Sequence, residues 1–178
     1  MKLQRRARRA VLVVHVAASA CWLGVTLGLF GLSVTAVGSG SPEVAEASYR
    51  SMKVFSDWLV IPLALGTLLS GLLLSLGTRW GLARHWWVYL KFWLTLITTG
   101  LSILLLRPGI NEAAAQASSG ETVTSAGNLL VAPGVSLSVY LFMTAISVLK
   151  PWGLTRRGRK LRSADRKAVD AGNLRRTT

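Results

Sequence analysis

The sequence has few acidic residues and a single cysteine. Of its 178 residues, 7 are Asp or Glu, and charged residues of both signs make up 16% of the chain, whereas an average soluble domain carries about 25%. The lone Cys21 excludes a disulfide scaffold within the chain. No segment alternates apolar and polar residues with a period of two, so β-strands are not predicted. The composition therefore fits neither an ordinary soluble domain nor a disulfide-rich one.

Long apolar runs make up most of the chain. Apolar residues account for 51% of it, a share that excludes intrinsic disorder. Four runs are each near or above the roughly 20 residues that cross hydrocarbon as a helix. They lie at 10–34, 54–76, 86–106 and 129–149. Segments rich in Gly, Ser, Ala and Pro separate them and predict loops. These lie at 38–42, 77–84 and 107–127. We therefore predict an all-α, polytopic membrane protein in which residues 1–155 form an antiparallel bundle of four transmembrane helices.

The basic residues are distributed unevenly between the two sides of such a bundle. Five precede the first span, two lie in the second connection and ten follow from Lys150 onward, whereas the first and third connections hold three. Because cytoplasmic segments carry the excess of Lys and Arg, both termini are predicted to be cytoplasmic. The expected location is the bacterial inner membrane.

The segment 156–178 is polar and basic and is predicted to be a disordered cytoplasmic tail. Each basic residue near an anionic lipid surface contributes about 1 kcal/mol of attraction, so anionic lipid is its expected partner. Nucleic acid is not expected, because no aromatic residue interleaves the basic run to provide a stacking surface.

Two ionisable residues inside the spans are candidates for a functional site, since such residues are costly in lipid. On a helical projection His15 lies within about 40° of Ser19, Trp22 and Thr26, and Lys91 shares a face with other polar residues of the third span. Each lies about five residues, or roughly 7–8 Å, from the cytoplasmic start of its span. We expect them to face a shared polar pocket. The alternatives are a Lys91 that reaches to the interface and a His15 that hydrogen-bonds a hydroxyl of a neighbouring helix.

The chemistry of these groups fits a haem site. A neutral imidazole is a good axial ligand for haem iron, so His15 is the predicted metal ligand, and Lys91 is a nitrogen ligand or a proton acceptor. Arg79 and Arg84, near the cytoplasmic mouth, are placed to hold the carboxylates of a porphyrin. Flat apolar walls are expected from Trp22 and Trp87. A Cu(I) site is less well supported, because the Cys, Met and His residues are scattered over different helices.

The small residues of the first span support a second hypothesis for the function. Gly24 and Gly28 have the spacing that lets two membrane helices approach closely. The alternative to a haem protein is therefore a non-catalytic scaffold or accessory subunit. It would bind a second copy or a membrane partner through this glycine face.

Three segments carry a resemblance to known families. They resemble segments of the HemJ-type protoporphyrinogen oxidases and of the copper-resistance-D-like four-helix membrane proteins. The three segments are HVAASACWLG (15–24), WWVYLKFWLTL (86–96) and SVLKPWG (147–153). The same segments also resemble a group of predicted bacterial integral membrane proteins that share a domain of unknown function. The resemblance implies a haem-binding His15 and a functionally important Lys91. Unlike HemJ-type proteins, the chain has no Arg between Arg9 and Arg50 and reads LLVAPG where they have Asn-Glu-Pro, so no enzymatic activity is assigned.

Overall fold

The computed structural model describes residues 4–77, 85–149, 153–156, 158–160 and 162–164. Six α-helices are present in the described residues: α1 (Arg5–Gly38), α2 (Pro42–Phe55), α3 (Ile61–Gly77), α4 (Trp86–Leu101), α5 (Arg107–Ser118) and α6 (Ala126–Leu149). Short π-helical segments, Ser56–Val60 and Ser102–Leu106, join α2 to α3 and α4 to α5 without a break. Four continuous helices result, each long and apolar enough to cross a membrane. The chain is thus all-helical in its described part and has the architecture of a multi-pass membrane protein.

The four long helices surround a common interior. α1 packs along α3 and α6, and α4 packs against the same two helices, so α1 and α4 face each other across the bundle. His15 lies near the start of α1, and Asp57 lies in the π-helical segment after α2. We call the two ends of the bundle the His15 end and the Asp57 end.

The segment 107–127, which its Gly, Ala and Ser content predicts to be a loop, is helical over Arg107–Ser118. The prediction was wrong because α5 has a buried side that composition does not reveal. Ile110, Ala113 and Ala114 are 0%, 0% and 7% exposed and pack with Tyr49 and Met52 of α2. Burial of this face stabilises the helix despite its small residues. α2 and α5 therefore extend the bundle well beyond the apolar runs at the Asp57 end.

Each π-helical segment ends two residues before a proline, Pro62 or Pro108. Proline has no backbone N–H, and its ring collides with the carbonyl four residues earlier in an α-helix. The wider turn changes the hydrogen-bond register at this point: the Arg107 N–H donates to the Ser102 carbonyl, five residues back. This arrangement explains how both long helices continue through a proline.

A third proline lies inside α6 and is accommodated by a different helix. Pro133 cannot donate to the carbonyl of Leu129, four residues earlier. The hydroxyl of Ser33 on α1 lies 2.8 Å from that carbonyl and 2.8 Å from the carbonyl of Leu29 in its own helix, so the two carbonyls share its hydrogen. Ser33 is 1% exposed. This contact supplies the missing donor and fixes α1 against α6.

The exterior of the bundle is apolar and its interior is rich in hydroxyl groups. Val13, Leu104 and Val148 are 68%, 72% and 75% exposed, as expected for side chains that face lipid. The buried polar side chains of the described residues are all Ser or Thr. Many of them donate to a carbonyl of their own helix, as Thr26 does to Trp22 at 2.9 Å, which makes a hydroxyl tolerable in a dry interior.

Two buried apolar clusters divide the interior. The Met52 cluster, at the Asp57 end, contains Leu29, Ala36, Tyr49, Met52, Val60, Ile110, Ala113, Ala114 and Leu129. The Trp22 cluster contains Trp22, Ala64, Tyr140 and Met143. The buried apolar side chains of the Met52 cluster fill the interior toward the Asp57 end.

After α6 the chain returns to the His15 end, where Leu154 forms an isolated antiparallel bridge with His85. In the segment predicted to be a disordered tail, Arg156 and residues 158–160 and 162–164 are helical. The hydroxyl of Thr155 accepts a hydrogen bond from the Gly158 N–H at 3.0 Å and caps this helical turn.

Candidate functional site

His15 is held on α1 by two acceptors from α3. Its Nδ1 atom lies 3.1 Å from the Thr67 carbonyl oxygen and 3.0 Å from the Ser70 hydroxyl oxygen. The Ser70 hydroxyl itself donates to the Gly66 carbonyl, so its oxygen is an acceptor toward His15. A carbonyl only accepts, and therefore Nδ1 carries the hydrogen. In the neutral ring this leaves the lone pair on Nε2.

A glycine on α3 makes room for the imidazole ring. A Cβ atom at Gly71 would lie 3.1 Å from Cε1 and 3.5 Å from Nδ1 of His15. One turn along the same helix, a Cβ at Gly66 would meet only the Cβ of Ala18, at an ordinary 3.9 Å. The close approach of α1 and α3 at Gly71 thus restricts the position of the ring, whose tautomer the hydrogen bonds of Nδ1 set.

Lys91 reaches the same region from the opposite side of the bundle. It lies half-buried on α4, and its amine donates to the Ser147 hydroxyl on α6. Ser147 follows Tyr140 on α6 toward the His15 end, and Tyr140 contacts Trp22 of α1. Both ionisable groups therefore lie in the interior at the His15 end, each tied to a different neighbouring helix. The hydrogen bond to Ser70 is the structural role considered above for His15, and it leaves Nε2 unused.

Acidic side chains of the described residues lie at the other end of the bundle. Two of them, Glu43 and Glu46, lie on α2, and Asp57 lies in the π-helical segment after it. The other two are Glu112 on α5 and Glu121 after the turn that follows α5. The Asp57 carboxylate accepts from Lys53 Nζ at 2.8 Å and from Arg107 Nε at 2.9 Å. Lys53 also donates to Asn111 Oδ1 at 2.8 Å. We call Lys53, Asp57, Arg107 and Asn111 the outer polar cluster.

The other predicted cofactor residues occupy varied positions. Trp22 is 3% exposed and packs against Tyr140 with ring centroids 4.5 Å apart and ring planes tilted by 42°, so its indole belongs to the buried core. Trp87 is half-buried, with its ring 6.4 Å from that of His85. Arg79 and Arg84 lie outside the described residues.

The glycine face of α1 divides into two parts. A Cβ at Gly28 would lie 3.5 Å from a ring carbon of Phe55, so Gly28 packs against α2 within the chain. Gly24 and Gly31 have nothing within 4 Å of the corresponding position, and Cys21 is exposed. This part of the face is open on the outside of the bundle.

Sequence reasoning did not identify the partners of the two ionisable groups. Neither Ser70 nor Ser147 was among the predicted site residues.

Within the described ranges no group of three or more His, Cys, Asp or Glu side chains could hold a metal ion. A site built by protein ligands alone therefore finds no support there, whereas a haem, whose porphyrin supplies four nitrogens, needs only an axial ligand such as His15. The fold and the site define a class: a multi-pass helical membrane protein with a histidine and a lysine in a hydroxyl-lined interior. Comparison with protein-family models, with curated proteins and with solved structures found no match to this chain.

Proposed function

We propose that this protein binds haem or a related tetrapyrrole within the membrane, with Nε2 of His15 as the axial ligand. The observation that carries the proposal is the hydrogen bond from His15 Nδ1 to the Thr67 carbonyl. Histidines that bind metals typically donate their other ring N–H to a carbonyl or carboxylate, which fixes the tautomer and the orientation of the ring. When bound, haem supplies a one-electron redox centre.

The rest of the chain supports this role in three ways. The Ser70 hydroxyl and the space left by Gly71 hold the ring in place before any ligand binds. The interior around Lys91 offers hydrogen-bond donors and no described carboxylate that would compete for them. The Met52 cluster fills the interior toward the other end of the bundle, which favours a site that is approached from one side over a path through the membrane.

The topology belongs to the same proposal. The four spans form an antiparallel bundle with both termini in the cytoplasm of a bacterium, because 17 of the 21 Lys and Arg residues then lie on the cytoplasmic side. The His15 end is the cytoplasmic end, and the basic residues after Lys150 bind anionic lipid there.

The visible spectrum of protein purified in detergent after haem-replete expression tests the proposal. We expect a Soret band that is lost or displaced in His15→Ala. The chain has two histidines, so His85→Ala is a matched control that should leave the band unchanged. A colourless wild-type protein, or a band that His15→Ala does not alter, would refute haem ligation by His15.

A second candidate function is a scaffold or accessory subunit that assembles through α1. The open positions at Gly24 and Gly31 favour it, because no described residue lies within 4 Å of a Cβ placed at either one. We expect Gly24→Ile to reduce the oligomeric mass in detergent, whereas Gly100→Ile, also at an uncovered glycine, should not. If both variants keep the wild-type mass, the glycine face is not an assembly surface.

A further inference from the structure

The amine of Lys91 has fewer partners than it has donors. A protonated lysine carries three N–H groups, and within the described part of the chain its one hydrogen-bond acceptor is the Ser147 hydroxyl. The ring of His15 is a base and adds no negative charge. The interior at the His15 end therefore offers donors that the described residues do not use.

The carboxylates of the described residues lie away from Lys91. The five acidic residues among those described lie toward the Asp57 end, where Asp57 already accepts from two cations. A cation in a low-dielectric interior is stabilised by an opposite charge within hydrogen-bonding distance. The described residues supply none beside Lys91.

The two groups belong to helices on facing sides of the bundle. The partners of His15 come from α3 and the partner of Lys91 comes from α6, and α1 and α4 face each other across the bundle. Nε2 of His15 has no hydrogen-bond partner among the described residues. A ligand between them would meet an imidazole lone pair on one side and an ammonium donor on the other.

From this arrangement we infer that Lys91 binds the carboxylate of a membrane-soluble ligand. The inference rests on the site of the proposed function and adds the chemical class of its ligand. A single monovalent cation matches a single carboxylate, and the lipid-facing exterior admits a ligand with an apolar body. Two sources have this chemistry: the propionate of a porphyrin and the head of a free fatty acid. The interaction is a charge-assisted hydrogen bond between Lys91 Nζ and a carboxylate oxygen.

Metal-free protoporphyrin IX and its dimethyl ester separate carboxylate binding from iron ligation. Porphyrin fluorescence in detergent gives the Kd of each for the purified protein. The wild type should bind the free acid roughly ten- to a hundredfold more tightly than the ester, the range expected for a hydrogen bond to a charged group. Lys91→Met should abolish this preference, whereas Lys91→Arg, which keeps the cation, should retain it. Lys53→Met, the same change at the outer polar cluster, is the matched control and should keep the wild-type preference.

Oleate as a competitor identifies the source of the carboxylate and separates this inference from the proposed function. If haem gives no Soret band but oleate binds in a Lys91-dependent way, haem binding fails and carboxylate binding by Lys91 stands. If His15-dependent haem binding is found and Lys91→Met leaves the preference for acid over ester intact, the inference is overturned. Equal affinity of the wild type for the acid and the ester, without Lys91-dependent oleate binding, also overturns it.

Discussion

Replacing Gly71 by alanine should disturb the His15 site directly. The new Cβ would lie 3.1 Å from Cε1 of the ring, well inside the 3.5–4.0 Å at which carbon atoms attract. The ring or α3 must therefore shift by several tenths of an ångström, and the hydrogen bonds from Nδ1 to Thr67 and Ser70, now 3.1 and 3.0 Å, must lengthen.

The magnitude follows from two opposing effects. Overpacking a close-packed site costs about 1–3 kcal/mol, and replacing glycine by alanine within a helix returns about 0.5–1 kcal/mol. The net change is a loss of about 1 kcal/mol for Gly71→Ala. Gly66→Ala keeps the helix gain, because its Cβ meets Ala18 at 3.9 Å, so the two variants should differ by about 1–3 kcal/mol.

Thermal unfolding of the two alanine variants in the same detergent measures this difference. Removing the ring should remove the penalty and leave the helix gain, so Gly71→Ala should stabilise a His15→Ala background by about 0.5–1 kcal/mol. The proposed tight contact is refuted if Gly71→Ala is as stable as Gly66→Ala, or if the His15 background makes no difference.

Two further substitutions test the frame around the site. Ser33→Ala leaves the Leu129 carbonyl without its donor and should lower the free energy of unfolding by about 1–3 kcal/mol. Unfolding in detergent measures this change, and an unchanged stability would show that the contact does not stabilise the bundle. Asp57→Asn removes the carboxylate shared by Lys53 and Arg107, which are 46% and 44% exposed. The free energy of unfolding should therefore fall by at most about 1 kcal/mol, and by less in high salt. A large loss of stability that salt does not change would contradict this interpretation.

The length and composition of the apolar runs were enough to predict the four long helices. They did not predict α5, because its buried side consists of Ile110 and two alanines that stand among residues typical of loops. What stabilises α5 is its packing on α2, a long-range contact that composition does not contain. The same limit applies to the extension of α2 and α5 beyond the apolar runs.

Helix geometry predicts a similar depth for His15 and Lys91, since both lie near the start of their predicted spans. It does not predict their partners, because the rotation of a membrane helix about its axis is weakly specified when lipid-facing and core-facing residues are both apolar. Ser70 and Ser147 could thus not be assigned to them. The contact of Trp22, the expected pocket wall, with Tyr140 depends on the same rotation and could not be predicted either.

The most direct measurement of the central claim, ligation by Nε2 of His15, is chemical rescue. His15→Gly removes the imidazole, and added free imidazole can occupy the space it leaves. We predict that His15→Gly loses the wild-type haem spectrum and that imidazole restores it, while His85→Gly needs no rescue. A haem spectrum that persists in His15→Gly without imidazole would contradict the account.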